Sequence, residues 1–153
     1  MTPNSELRTP NSLSTQISNQ IKKYLKGRYA IGDPSNGWDC LNLFVDFYRA
    51  FGYEFPPEFG GINEVTYADL WKNDNDLAID LYESFFLSLG DPVEITYYVR
   101  GDLLLFKAVQ LRLFPAIALG NGHMFMMGKD GPVVVPFRPY RKYLAAVRRL
   151  ISA

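Results

Sequence analysis

The chain has 153 residues, of which 48% are hydrophobic, 15% aromatic and 21% charged, enough for one globular domain with a buried core and too apolar for a disordered chain. No apolar run reaches the roughly 20 residues of a membrane span, and the opening MTPNSELRTPNSLSTQ lacks an apolar h-region, which predicts no secretory signal. One cysteine excludes an internal disulfide, and one histidine leaves too few soft ligands for a structural zinc site, so no metal and no cofactor are expected.

Residues 1–13 are polar, contain Pro3 and Pro10 and show no periodicity, so they read as a flexible N-terminal arm before a single domain over 14–153. From Ser14 onward, Ile17, Ile21, Tyr24 and Leu25 recur at helical spacing, and Gly27 stops a short amphipathic helix. The stretch from Gly27 to Gly37 is turn-rich and predicts a loop. In the segment from Trp38 to Pro56, Leu41, Phe44, Val45, Tyr48 and Phe51 mark one face of a second helix. Asp39 stands where an N-cap belongs, Cys40 in the first turn, and Gly52 where a C-cap belongs. Between Pro56 and Asn73 the chain is irregular, with a turn at Gly60-Gly61 and a helical turn or two from Tyr67 to Trp71. Leu77, Leu81, Phe85 and Leu89 predict a helix over 75–89, ended by Gly90.

Beyond Asp91-Pro92 the composition turns to strand. Ile95 to Val99 predicts extended chain, and Asp102 to Lys107 an apolar strand. Pro115 to Leu119 and His123 to Met127 flank Gly120-Asn121-Gly122, a strong hairpin signal. Gly131 to Phe137 supplies another strand, and Tyr143 to Leu150 a last strand or short helix. Helices first and antiparallel strands second define an α+β domain.

The net charge is zero, yet the charges are segregated. Residues 1–31 carry five Lys/Arg and one acid, residues 32–102 three basic and fourteen acidic residues, and residues 103–153 eight basic and one acidic residue. The balances of +4, −11 and +7 either neutralise one another within the fold or polarise a surface for charged partners. No dense basic patch with interleaved aromatics appears, so nucleic acid is not an expected partner.

Cys40 carries the chemical question. A thiol at a helix N-terminus meets unpaired amides and the helix dipole, which favour the thiolate and make a nucleophile. The alternative is a packed small hydrophobe. Arg100-Gly101-Asp102 spells an adhesion tripeptide but enters an apolar strand, and Asp74, Asp76 and Asp80 sit where acids complement a helix dipole rather than where calcium is held. Phe44, Tyr48, Phe51, Phe85 and Phe86 read as core.

Four motifs in order carry a family resemblance: Tyr29 with Asp39-Cys40, then Gly52-Tyr53-Glu54-Phe55-Pro56, then Arg100-Gly101-Asp102-Leu103-Leu104-Leu105-Phe106, then Ala116-Ile117-Ala118-Leu119-Gly120-Asn121-Gly122. Together they resemble the NlpC-type papain-like cysteine peptidases, which cut peptidoglycan stem peptides and have related domains in phage tails. The resemblance covers residues 27–150, with an insertion-like region around 57–92. It implies a papain-like α+β domain with N-terminal helices on an antiparallel sheet, Cys40 at the nucleophile position, Tyr29 shaping the site, and Trp38 and Asp39 beside it as binding residues. It also places the family's catalytic histidine at Phe114 and the polar residue that orients it near Met126, and neither side chain can take a proton or hold an imidazole. His123 follows the hairpin turn, about 16 Å from position 114 at roughly 3.3 Å per residue. In that register 114 and 126 share one face of the sheet and His123 has the other.

These residues predict a catalytically degraded NlpC-like domain that works as a structural or docking component, with a phage tail hub or baseplate as its setting. Its partners would then be tail subunits or peptidoglycan, with no membrane span, on a virion tail or otherwise in the cytoplasm. The alternatives are an active peptidoglycan endopeptidase that uses Cys40 with an unrecognised base, and a module that binds peptidoglycan peptides without turnover.

Overall fold

A computed structural model describes residues 4–25, 27, 40–55, 73–107 and 113–152. The stripe of Ile17, Ile21 and Tyr24 is buried on one side of helix α1 (Asn4–Leu25), with the solvated Lys22 and Lys23 in its last turn. The helix begins at Asn4, ten residues earlier than the periodicity predicts. Periodicity reports only where a helix buries a face, and buried apolar side chains start near Leu13. Gly27 N–H donates to Tyr24 O at 2.8 Å, closing the helix where the glycine predicts.

Helix α2 (Cys40–Ala50) buries Leu41, Phe44, Val45 and Tyr48 as expected, and Leu43 and Phe47 as well, so it is apolar over most of its circumference. It ends in a Schellman motif: Tyr53 N–H donates to Tyr48 O and Gly52 N–H to Arg49 O. Gly52 takes φ +88°, a conformation that costs a glycine nothing. Helix α3 (Asn75–Ser88) is capped by Asp74, whose Oδ1 accepts from Leu77 N–H at 3.1 Å. Among the described residues no group of His, Cys, Asp and Glu is arranged to hold a metal ion, and no helix is long and apolar enough to cross a membrane.

The strands β1 (Asp91–Val93), β2 (Leu103–Lys107), β3 (Leu113–Ala118), β4 (His123–Gly128), β5 (Gly131–Pro136) and β6 (Leu144–Arg149) form one antiparallel sheet in the order β1-β6-β2-β3-β4-β5. The β3–β4 hairpin pairs Ala116 with Met126 and Ala118 with Met124. It turns at Gly120-Asn121-Gly122, with Asn121 at φ 60° and Gly122 at φ 73°. Strand β5 lies at an edge, where Pro132 and Pro136 cost the ladder least.

One expectation needs correction and one is narrowed. Ile95 to Val99 is not extended: β1 stops at Val93, and Ile95–Tyr97 form a 3₁₀ turn closed by Tyr97 N–H on Glu94 O at 2.9 Å. The β-branched and aromatic composition reads as strand, but pairing with β6 ends at Val93 and the chain turns at Glu94, so the segment never joins the sheet. Tyr143 to Leu150, left open between strand and helix, is strand β6, entered through a second 3₁₀ turn at Arg138–Tyr143.

The sheet has two apolar faces. One packs against the helices in the main core, which joins Tyr24, Phe44, Phe47, Tyr48 and Phe86 to Leu103, Leu105, Ile117 and Phe125. The other buries Leu104, Phe106, Ala116, Ala118, Met124 and Val147 under Tyr98, Phe137, Tyr140 and Tyr143 from the connecting segments.

Candidate functional site

Cys40 is the first residue of α2. The leading amides of a helix have no intrahelical acceptors and its dipole favours negative charge, so this position suits a thiolate. Tyr29, Trp38 and Asp39, the other residues assigned to this corner, lie outside the described residues, as do Pro56, the loop over 28–37 and the turn at Gly60-Gly61.

The body of α2 is fixed at its C-terminal half. The buried Tyr48 hydroxyl donates to Gly101 O at 2.9 Å, and Gly101 N–H donates to Ala118 O at 2.8 Å. Burial, and then the Asp102 charge, push the Tyr48 phenol well above its usual ionisation range. Tyr48 thus anchors α2 at the end of the sheet that carries the 120–122 turn. Cys40 lies eight residues back along the helix, about 12 Å at 1.5 Å per residue.

Phe114 and Met126, the positions to which the resemblance assigns base and orienter, come together on one face of the sheet as the register predicts. Phe114 stacks on Phe106 with ring centroids 5.1 Å apart and meets Tyr140 edge-on at 6.3 Å. Both residues belong to the cluster on the far side of the sheet from the helices. The β3 positions that face the helices are Leu113, Pro115 and Ile117, and they are apolar too. On either face, β3 presents no side chain able to accept a proton.

His123 stands at the start of β4, exposed, with the parity of Phe125 and therefore on the helix side. It lies at the 120–122 turn, at the end of the sheet where Tyr48 is anchored, two helical turns from Cys40 along α2. The adhesion tripeptide is closed off. Asp102 is 2% exposed, and its carboxylate accepts from Arg149 Nε at 2.9 Å, from Arg149 Nη2 at 2.8 Å and from Val99 N–H at 2.9 Å. These hydrogen bonds hold the Arg149 guanidinium in its protonated form to higher pH than usual.

Two polar networks escape the sequence reading. One is this bidentate Asp102–Arg149 pair. The available signal was an isolated acid at the mouth of an apolar strand with arginines in the last strand. The second joins α1 to α2: Tyr24 donates to Asp46 Oδ2 at 2.5 Å and accepts from Gln20 Nε2, while Lys23 lies 3.6 Å from the same carboxylate. Here the signal was a tyrosine in an apolar stripe, a position that obliges a buried hydroxyl to find a partner.

The architecture is that of papain-like NlpC/P60 domains. Superposition on an NlpC/P60 family protein from Bacillus cereus ATCC 10987 gives a TM-score of 0.61 at 18% identity over 91% of this chain, which spans 40% of that protein's length. The NlpC/p60 domain of peptidoglycan hydrolase SagA gives 0.57 at 20% identity, covering 89% of this chain and 97% of that domain. The P60 domain of an M. avium paratuberculosis antigen gives 0.56 at 16% identity over 91% of this chain and 93% of that domain. No protein-family model and no curated protein matches the sequence. At these identities the likeness establishes the fold: helices followed by a six-stranded antiparallel sheet of the NlpC type.

Proposed function

We propose that this chain is a non-hydrolytic NlpC-type domain that serves as a structural or docking component of a larger assembly. Residues 14–153 are its working domain and residues 1–13, which include the first turns of α1, an arm toward neighbours; the resemblance favours a phage tail hub or baseplate as the setting, with other tail subunits as partners. The observation that carries this reading is the apolar character of β3 on both faces, Phe114 outward and Leu113, Pro115 and Ile117 inward. A cysteine without a base is only a few per cent thiolate at neutral pH, and acyl transfer needs a group within hydrogen-bond reach to take the proton. The segregation of charge along the chain gives a docking domain surfaces of both signs.

One observation favours a second reading, an endopeptidase acting through Cys40: that residue opens α2, where the helix dipole lowers a thiol pKa. Incubation of the purified chain with peptidoglycan stem peptides separates the two. We expect cleavage at background, and no difference between wild type and Cys40→Ala. Turnover abolished by Cys40→Ala would overturn the docking reading, whereas tight peptide binding without turnover would make the domain a peptidoglycan-peptide receptor.

A further inference from the structure

Between α1 and the β3–β4 turn lies a groove of about 370 Å³ whose floor is Ile17, Ile21, Leu119 and Val134. Every charged side chain among the described residues lining it is basic: Lys22 from α1 and Arg100 from the segment before β2. His123 adds an imidazole at the rim. Arg100 is held in place from two sides. Its Nη1 donates to Ser14 Oγ, and its guanidinium lies over Gly120 so closely that a Cβ at 120 would collide with it. Among the described residues no carboxylate pairs with Arg100 or Lys22. The groove is therefore an apolar slot with a pre-positioned cation at its edge that no described carboxylate compensates.

The complementary shape is present on the same chain. The turn over 94–99 exposes three large apolar side chains, Ile95, Tyr97 and Val99, with Tyr97 69% exposed. Glu94 stands exposed at its start, with no cation paired to it among the described residues, and Asp91 is exposed three residues earlier. This knob adjoins the groove at one end of the sheet, since Arg100, which lines the groove, directly follows Val99. Val93 and Tyr98 pack into the outer apolar cluster, whereas Ile17 and Ile21 belong to the helix-side core.

We propose that the groove receives the 94–99 turn of a second copy of this chain, with Tyr97 and Ile95 entering the slot and Glu94 meeting Arg100. Knob and groove are different patches of one protomer, so the contact joins unlike surfaces, either reciprocally in a two-fold dimer or head to tail in a ring or open filament. The proposal builds on the docking reading and supplies its partner.

Sedimentation velocity on the full chain tests it. We expect concentration-dependent association that weakens as salt rises, since exposed charges are screened within about 8 Å at physiological ionic strength. Arg100→Glu and Glu94→Arg should each weaken self-association by roughly tenfold or more, through like-charge contact in every interface. An equimolar mixture of the two variants should associate again, since each then offers the other a matched pair. Tyr97→Ser should weaken association without altering its salt dependence, and circular dichroism should show all three variants folded. A wild type that stays monomeric at every concentration and salt level would overturn the proposal, as would a mixture no more associated than its components. Neither result bears on peptide turnover, so the failure of this contact and the failure of the docking reading are told apart.

Discussion

The two faces of the sheet are built differently. On the helix side, α1, α2 and α3 bury a continuous core in which aromatic rings meet edge-on, Phe44 with Phe86 and Phe47 with Tyr48, and strand residues such as Leu103 and Phe125 are fully enclosed. On the outer side, a smaller cluster is closed only by side chains of turns and connections, with Phe114 and Met126 partly exposed at its margin. Helices bring whole faces of side chains onto a sheet, whereas turns bring a few, so the first face carries the stability and the second leaves its rim accessible. The difference also bears on the site. The strand to which the resemblance assigns a base is covered by apolar contacts on one side and offers only Phe114, Ala116 and Ala118 on the other.

The sharpest way to break this contrast is truncation on each face. Phe125→Ala should cost about 3–5 kcal/mol, the range for a fully buried phenylalanine. Phe114→Ala should cost about 1–2 kcal/mol, because part of its ring is already in water. Denaturant unfolding reads both. Equal losses would show that the outer cluster is as much a core as the inner one.

Next in size is the network at the mouth of β2. Asp102→Asn keeps the shape but removes the charge that Arg149 faces and weakens acceptance from Val99 N–H. A loss of about 2 kcal/mol is expected in denaturant unfolding. Arg149 is partly exposed and can turn to water, which keeps the loss below that of a fully buried pair. A loss within 0.5 kcal/mol of zero, the roughly neutral range for surface changes, would place the pair with ordinary surface ion pairs.

A smaller effect separates the faces by pH. Burial foremost, and then the hydrogen bond to Asp46, raise the Tyr24 phenol far above its usual range; burial foremost raises Tyr48. Both groups serve the helix-side core. A raised folded pKa means the unfolded chain releases the proton more readily, so the stabilisation is complete below the unfolded value near pH 10 and is lost as pH rises above it. Thermal unfolding from pH 8 to 11 should therefore show Tm falling above about pH 10. Tyr24→Phe and Tyr48→Phe should each lower Tm at pH 8 and flatten that fall. An unchanged slope in the double variant would place the alkaline transition elsewhere.

The elements were legible where one local rule decided them. The Asn121-Gly122 turn, the start of α3 at Asn75, the Gly52 C-cap and the apolar face of α2 all stand where propensity and periodicity put them. Ile95 to Val99 misled because strand propensity describes a side chain on a pleated, paired surface, and among the described residues no strand pairs with this segment. Of the site, the sequence made Cys40 legible as the start of α2 and placed Phe114 and Met126 on one face of the hairpin. It could not say which face looks toward the helices, because β3 is apolar at both parities and alternation had nothing to separate.

The last test uses that parity. Phe114→His restores an imidazole at the position the resemblance assigns to the base. In this structure that side chain stacks on Phe106, on the far side of the sheet from α2. A base must lie within about 3 Å of the proton it takes, or one water away, and a position that faces away through the sheet meets neither condition. The variant should leave stem-peptide cleavage at background. The rate of Cys40 alkylation by iodoacetamide, which follows the thiolate fraction, should match that of the wild type at each pH from 6 to 9. A polar ring in the outer apolar cluster should also lower stability by about 1–2 kcal/mol, so each reading is taken on folded protein. Alkylation that speeds up in Phe114→His, or measurable cleavage, would show that position 114 reaches the thiol. The outer face would then be the catalytic face, contrary to the register drawn above.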